Sequence, residues 1–255
     1  MKFARYQDED GPHYGIVEGN TVYAAEGDPF NGTLSKGASV GKLDEVDLLT
    51  PVDPGKIVAI GLNYAAHVTE SDPDRPLPTE PVIFMKPTSA LLPHGGVIEM
   101  PPANRIDHEA ELAIVIGQEA HHVSEADAPS YILGYTCGND VSHRDFQRKD
   151  GQWIRAKGFD TFCPLGPVVE TELDPSDLSI RARLNGEVKQ DSRTSNLIFN
   201  PAFLVSFISD VMTLNPGDVI MTGTPDGVSP MQPGDTIEVE IEGIGTLRNT
   251  TKARD

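Results

Sequence analysis

The sequence lacks long apolar runs, a cysteine framework and a surplus of positive charge. No stretch approaches the ~18 consecutive apolar residues of a membrane-spanning helix. The first residues lead into no hydrophobic signal segment, so we expect a soluble, cytoplasmic protein. The two cysteines, Cys137 and Cys163, fit no metal-binding or disulfide spacing. This pattern predicts reduced, buried thiols.

Positive charge is scarce: 20 basic residues face 39 acidic ones, which gives a net charge of −19. A charge of this sign argues against nucleic acid and anionic membranes as partners. Two interpretations of the charge stay open. One is a halophilic protein in a high-salt cytoplasm, where salt screens the self-repulsion, and the other is an ordinary acidic cytosolic protein.

The length of 255 residues allows one large core with a small appended domain. Residues 14–24 predict a hairpin without catalytic groups. Asp53-Pro54-Gly55 then marks a boundary before a buried strand at residues 57–60. We therefore predict a small N-terminal β-rich domain in residues 1–52 and a catalytic domain in residues 53–255.

Two carboxylates open an apolar, β-branched run at residues 109–116. On a strand, Glu109 and Glu111 would share one face, while residues 110, 112, 114 and 116 would form an apolar face that needs a core. Two like charges about 7 Å apart on a half-buried face repel unless a cation lies between them. A hard divalent cation is the natural candidate. The alternative is a solvated strand edge in an acidic chain.

Asp140, at the end of a second apolar segment, could supply a third carboxylate ligand. Its alternative role is the N-cap of a helix that starts there. On that helix, Arg144 and Gln147 would lie on the same face as Asp140. A guanidinium and an amide beside a metal suit the binding of a carboxylate and a carbonyl.

A His-x-x-Glu pair precedes a proline-rich segment. The spacing of His67 and Glu70 puts both on one face of a short helical turn, which the four prolines in residues 71–81 prevent from continuing. The pair is either a surface contact or a catalytic dyad on a lid formed by residues 64–81. Arg75, on the same segment, is a candidate for binding a second carboxylate of a ligand. The alternative is a solvated loop arginine.

Further elements surround these candidates. A strand at residues 219–221 runs into a tight turn, where backbone amides near Gly223 and the Thr224 hydroxyl could face a ligand. Asn185-Gly186 predicts a hairpin. Asn200-Pro201 predicts a helix start, and we interpret that helix, with its two apolar rows, as core scaffold. Lys157 taken alone is interpreted as a surface lysine.

With these residues collected, the chain resembles the fumarylacetoacetate hydrolase family, which includes acylpyruvate hydrolases, oxaloacetate decarboxylases and 2-hydroxyhepta-2,4-diene-1,7-dioate isomerases. The resemblance runs from about Lys56 to Thr246 and departs from the family pattern at Ser229-Pro230 and at His143. Its six motifs occur in order: Gly61-x-Asn63-Tyr64-x-x-His67-x-x-Glu70, Phe84-x-Lys86-Pro87, His108-Glu109-x-Glu111-Leu112, Gly134-Tyr135 with Asn139-Asp140-x-Ser142-x-Arg144-Asp145-x-Gln147, Lys157, and Thr222-Gly223-Thr224-Pro225-x-Gly227-Val228.

The resemblance implies a mainly β fold with few helices, a mixed β-sandwich roll, and a homodimer. It implies Mg²⁺ or Mn²⁺ held by Glu109, Glu111 and Asp140. It also implies a small 2-oxo acid as substrate. The substrate-binding residues implied are Arg144, Gln147, Gly223 and Thr224, and the catalytic residues implied are His67, Glu70 and Lys157.

The predicted reaction is metal-dependent hydrolysis or decarboxylation of a β-dicarbonyl acid, in which the metal stabilises the enolate that forms as a C–C bond breaks. His67, oriented by Glu70, would transfer a proton or activate water. One alternative is an isomerase that reprotonates the same enolate elsewhere. Another is a catalytically inactive, metal-stabilised binding protein, against which the presence of both dyad residues argues.

Overall fold

The structure is a computed structural model that describes residues 1–32, 34–70 and 72–254. Its described strands are β1 (Lys2–Asp8), β2 (Gly11–Glu18), β3 (Thr21–Glu26), β4 (Ser35–Lys42), β5 (Asp47–Leu48), β6 (Ile57–Gly61), β7 (Val82–Lys86), β8 (Leu91–Leu92), β9 (Val97–Met100), β10 (Ile106–Asp107), β11 (Ala110–Ile116), β12 (Ile132–Asn139), β13 (Ser142–His143), β14 (Cys163–Glu170), β15 (Ser179–Leu184), β16 (Glu187–Arg193), β17 (Val219–Met221), β18 (Thr236–Ile241) and β19 (Gly245–Ala253).

The helices are few and short. The described α-helices are α1 (Ala65–Thr69), α2 (Arg144–Asp150), α3 (Ile154–Lys157) and α4 (Pro201–Val211). Single 3₁₀ turns occur at Pro29–Asn31, Thr88–Ala90, Ala128–Tyr131, Pro175–Asp177 and Thr194–Asn196. None of these helices is long and apolar enough to cross a membrane.

Two large sheets make up most of the fold. The larger has the strand order β4-β3-β2-β1-β14-β12-β11-β17-β6-β7, with β5 and β8 beside it, and the smaller has the order β16-β15-β18-β19-β9. One apolar cluster joins Leu112 and Ile114 of the larger sheet to Ile180, Val239 and Leu247 of the smaller. The predicted fold class, a mainly β sandwich roll with few helices, is confirmed.

Strand β11 lies at the centre of the larger sheet and is buried along its whole length. Its even-numbered residues, 110 to 116, face the cluster between the two sheets, whereas Ala113 and Val115 belong to a second cluster on the other side. The predicted division of this strand into two faces is therefore confirmed. Because Glu111 shares the second face, its carboxylate has no solvated edge to point to.

Other predicted elements are observed with some corrections. The Asn185-Gly186 turn joins β15 and β16 with positive φ at both residues, as a tight hairpin requires. The helix α4 begins after Asn200, whose Oδ1 accepts from the Phe203 backbone N–H at 2.9 Å. One of its two apolar rows is buried through Leu204 and Ile208. The other row is not core, because its end at Val211 is 61% exposed.

The N-terminal strands extend the larger sheet, since β1 pairs antiparallel with β14. The hairpin predicted at residues 14–24 is formed by β2 and β3. A domain boundary near residue 52 stays a prediction.

Candidate metal centre and substrate pocket

Three buried carboxylates meet where β11 and β12 lie side by side. The two strands pair antiparallel with Ala110 opposite Asn139, which brings Asp140 next to Glu109. The Asp140 backbone N–H donates to the Glu109 carbonyl oxygen at 2.9 Å. Side-chain oxygens of Glu109, Glu111 and Asp140 all lie within 4.8 Å of one another. The three predicted metal ligands are thus brought together by strand pairing.

Lysines lie within this acidic cluster. The Lys86 Nζ is 2.5 Å from Asp140 Oδ1, and the Lys157 Nζ is 2.6 Å from Asp140 Oδ2 and 2.7 Å from Glu109 Oε2. Both lysines are buried, so the interpretation of Lys157 as a surface residue is wrong. Asp140 is not an N-cap either, because α2 begins only at Arg144 and its cap position is His143. The Asp140 carboxylate instead forms ion pairs with the ammonium groups of Lys86 and Lys157.

The two glutamates differ in their electrostatic surroundings. Burial would raise the pKa of Glu109, but Lys157 and Arg144 outweigh burial and lower it. For Glu111, burial and then the neighbouring Asp140 and Glu109 carboxylates raise the pKa well above its usual value. Its only direct donor among the described residues is the Gly223 backbone N–H, at 2.8 Å. Glu111 therefore lacks a cationic contact.

The donor set fits a hard divalent cation. Three buried carboxylates offer only oxygen ligands, which suit Mg²⁺ or Mn²⁺ better than zinc with its preference for nitrogen and sulfur. The repulsion that raises the pKa of Glu111 is the kind that such a cation relieves. Glu111, which has no ion-pair partner in the described part of the chain, is the candidate ligand on which this fit depends most.

A cavity of about 560 Å³ lies beside the cluster. Arg144 connects the two, because it lines the cavity while its Nη2 lies 2.7 Å from Glu109 Oε1. The guanidinium also donates to Asp107 Oδ2 and to Gln147 Oε1, both at 2.7 Å. The cavity is lined by Leu62, His67, Glu70, Arg75, Arg105, Asp107, Arg144, Gln147, Arg148, Trp153 and Val228.

His67 and Glu70 form a hydrogen-bonded pair at the cavity wall. The imidazole Nδ1 is 3.0 Å from Glu70 Oε2, and the Gly227 backbone N–H donates to Glu70 Oε1 at 2.9 Å. The predicted short helical turn is α1, with Glu70 at its C-terminal cap. The predicted lid includes Ser71, which lies outside the described residues. The dyad therefore faces the same cavity as Arg144.

The glycine turn lies behind the cluster and does not line the cavity. The Gly223 N–H is occupied by Glu111, and Thr224 Oγ1 accepts from Gln190 Nε2 at 2.8 Å. Gly223 has a φ of +96°, and a Cβ there would approach the Asn63 Cβ to 2.8 Å. This position thus favours glycine. Direct contact of Gly223 or Thr224 with a substrate stays a prediction.

Several supporting residues were not singled out from the sequence. Lys86 appeared only within the motif Phe84-x-Lys86-Pro87 without an assigned role, and Asp107, which holds both Arg105 and Arg144, was not among the candidates. Gln190 had no local signal, yet it also accepts from the Ala110 backbone N–H at 2.9 Å. Apart from the pair of Arg105 and Asp107, these contacts join residues that lie far apart along the chain.

His108 and Ser229 explain one departure from the family pattern. The His108 Nε2 is 2.8 Å from Ser229 Oγ, so the serine binds a buried imidazole. Burial lowers the pKa of His108 to about 4, which leaves the ring neutral near pH 7. The pair holds the turn after Gly227 against the start of β11.

Comparison with known proteins gives matches over the whole chain. The family model "Fumarylacetoacetate (FAA) hydrolase C-terminal" matches residues 56–252, and "Rv2993c-like, N-terminal" matches residues 1–51. Protein Rv2993c of Mycobacterium tuberculosis is 46% identical, with 98% of this chain and 97% of that protein covered.

Two similar proteins carry names of reactions. The mitochondrial oxaloacetate tautomerase FAHD2A of Bos taurus is 38% identical, with 94% of this chain and 87% of that protein covered. The crystal structure of 2-hydroxyhepta-2,4-diene-1,7-dioate isomerase from Mycobacterium marinum has a TM-score of 0.91 and 45% identity, with 99% of this chain and 98% of that chain covered.

Proposed function

The chain belongs to the fumarylacetoacetate hydrolase family, and from that premise we propose that it is a metal-dependent enzyme acting on a small 2-oxo acid. One observation carries the proposal: a cavity lined by a His–Glu dyad lies beside a buried carboxylate triad, and Arg144 contacts both the cavity and the triad. A protein that only binds a metal would need the triad, but it would not need the dyad of His67 and Glu70, in which Glu70 accepts from the Gly227 backbone N–H.

Glu109, Glu111 and Asp140 hold Mg²⁺ or Mn²⁺ in this proposal. When bound, the cation would polarise the 2-oxo group of the substrate and favour the negative charge that builds up on its oxygen. Lys86 and Lys157 hold the carboxylates in position, because their ammonium groups bond to two of the three. Lys157 thereby acts on the ligands, next to the reacting group.

Arg144 and Gln147 bind the carboxylate end of the substrate. Arginine has five N–H donors. The contacts of Arg144 with Asp107, Glu109 and Gln147 leave some of these donors without an acceptor. The Gln147 amide nitrogen donates to no acceptor among the residues that the structure describes. Gln147 and Asp107 fix the plane of the guanidinium, and in this proposal its remaining donors bind the substrate carboxylate.

His67 transfers the proton. Its Nδ1 faces Glu70, which favours the tautomer with hydrogen on Nδ1 and leaves Nε2 as the basic atom. That nitrogen takes a proton from the carbon next to the 2-oxo group or from an attacking water, and returns it in a later step. Glu70 in turn is held by the Gly227 N–H, so the dyad keeps one orientation.

The proposed overall reaction is cleavage of a C–C bond, by hydrolysis of an acylpyruvate or by decarboxylation of an oxaloacetate-type acid. A second candidate is proton transfer alone, which gives a tautomer or an isomer. It is favoured by the similarity to an oxaloacetate tautomerase and to a 2-hydroxyhepta-2,4-diene-1,7-dioate isomerase. The predicted homodimer and the cytoplasmic location belong to the same proposal and rest on the family resemblance and the composition.

Product analysis by NMR tests the proposal and separates its two forms. The substrates are acetylpyruvate, oxaloacetate, fumarylpyruvate and 2-hydroxyhepta-2,4-dienedioate, each assayed with Mg²⁺ at low and at multimolar KCl. Two shorter acids indicate hydrolysis, loss of CO₂ indicates decarboxylation, and an intact carbon skeleton indicates tautomerisation or isomerisation. If none of the four reacts in either salt condition while Mg²⁺ still binds, the binding-protein alternative replaces the enzyme.

A further inference from the structure

The cavity beside the metal centre concentrates positive charge in an acidic protein. Four arginines line it: Arg75, Arg105, Arg144 and Arg148. The whole chain has only 20 basic residues against 39 acidic ones. Two acidic side chains, Glu70 and Asp107, also line the cavity. Attraction of an anion to this cavity therefore depends on which of the four guanidinium groups lacks a carboxylate partner.

Three of these arginines are neutralised by carboxylates. Arg144 pairs with Asp107 and Glu109, Arg105 pairs with Asp107 at 2.7 Å, and Arg148 pairs with Asp145 at 3.0 Å. The Arg75 guanidinium, in contrast, has no carboxylate partner among the described residues. An unpaired guanidinium at the wall of a cavity is a ready donor for a second acidic group of a ligand.

The backbone that carries Arg75 is held in a turn. The Arg75 N–H donates to the Asp72 carbonyl oxygen at 3.1 Å, and the Asp74 N–H donates to Asp72 Oδ1 at 3.2 Å. Pro73 lies within this turn and Pro76 follows it, and both restrict the backbone dihedral angles there. The Asp72 carboxylate is thus engaged with the backbone N–H of Asp74 and forms no ion pair with the Arg75 side chain.

The rest of the lining suits a carbon chain between two charged ends. Leu62, Trp153 and Val228 supply the apolar part of the wall. Arg144 and Gln147 are placed to hold one carboxylate beside the metal centre. We propose that Arg75 binds the second carboxylate of the substrate, so that the enzyme selects 2-oxo dicarboxylic acids over 2-oxo monocarboxylic acids. This inference rests on the proposed function and names its substrate class.

Binding of two non-reacting 2-oxo acids with five carbons each tests the inference. 2-Oxoglutarate ends in a carboxylate and 2-oxopentanoate ends in a methyl group. Isothermal titration with Mg²⁺ present compares both acids on the wild type and on Arg75→Met, Arg148→Met and Arg248→Met. Arg248 is a surface arginine that does not line this cavity, so its variant controls for the change in net charge.

We expect the wild type to bind 2-oxoglutarate about twofold to fivefold more tightly than 2-oxopentanoate, as one partly exposed charge pair allows. Arg75→Met should abolish this preference without changing the affinity for 2-oxopentanoate, whereas Arg248→Met should keep the preference. The inference is overturned if the wild type has no preference, if Arg75→Met retains it, or if Arg148→Met alone removes it. If neither acid binds to the Mg²⁺-loaded wild type, the proposed function itself fails.

Discussion

Replacing Glu111 by glutamine separates metal binding from the stability of the fold. Glutamine keeps the size of the side chain and an oxygen that can accept the Gly223 N–H, but it removes a negative charge that the Asp140 and Glu109 carboxylates repel. Because Glu111 is the proposed ligand without a cationic contact among the described residues, we expect its charge to serve a divalent cation and not a lysine. We expect Glu111→Gln to fold normally and to lose tight Mg²⁺ binding.

The expected size follows from ligand linkage. A cation present at 100 times its dissociation constant stabilises the folded state by about 2.7 kcal/mol. For a protein of this length, that corresponds to a rise in Tm of roughly 5–10 °C. Differential scanning calorimetry with and without Mg²⁺ should show this rise for the wild type and for a Glu119→Gln control, whose glutamate is exposed. Glu111→Gln should show almost none of it.

The pH dependence of the metal-free protein gives a second readout. The folded-state pKa of Glu111 is raised by burial and then by Asp140 and Glu109, so the folded protein favours the protonated form. Stability from this group is therefore present at pH below the unfolded pKa and is lost as pH rises through the raised folded pKa. Added Mg²⁺ should therefore raise the Tm of the wild type more at pH 8 than at pH 5.

An equal Mg²⁺-induced rise in Tm for Glu111→Gln and the wild type would refute the assignment of Glu111 as a metal ligand.

Other predictions concern the dyad, the lid and the charge. His67→Gln should lower kcat about 10²–10⁴-fold with unchanged Mg²⁺ affinity, because in our proposal the imidazole moves protons and binds no metal, and steady-state kinetics with an unaltered kcat would contradict this. Hydrogen exchange in residues 64–81 should slow when Mg²⁺ and oxalate are added, and equal exchange in both states would argue against a lid. Raising KCl from low to multimolar concentration should increase Tm because salt screens the self-repulsion of a net charge of −19, whereas an unchanged Tm would favour an ordinary cytosolic protein.

Local patterns were sufficient to predict features that depend on one element. The two faces of β11 follow from side-chain alternation, since position 111 shares a face with Ala113 and Val115. The His67–Glu70 contact follows from helical spacing, and the turn at Asn185-Gly186 follows from tolerance of positive φ.

Features that depend on contacts between distant segments could not be read in this way. Nothing in residues 82–86 indicates that Lys86 reaches Asp140, because that contact depends on the packing of the β7 edge near the end of β12. Asp140 also illustrates a local rule that fails: an aspartate before a helix is a good N-cap, yet here two lysines compete successfully for its carboxylate. The ion pairs that surround Asp107 and Arg144 likewise emerge only when β10 and α2 meet.

The central claim is that the carboxylate triad supports metal-dependent turnover of a 2-oxo acid at this cavity. The most direct test is the rate of substrate consumption, followed by NMR for the four candidate acids, in wild type stripped of divalent cations and then supplied with Mg²⁺. The account predicts that at least one acid is consumed with Mg²⁺, that stripping abolishes the reaction, and that Glu111→Gln is not rescued by Mg²⁺. Equal consumption by the stripped and the Mg²⁺-loaded wild type would contradict it.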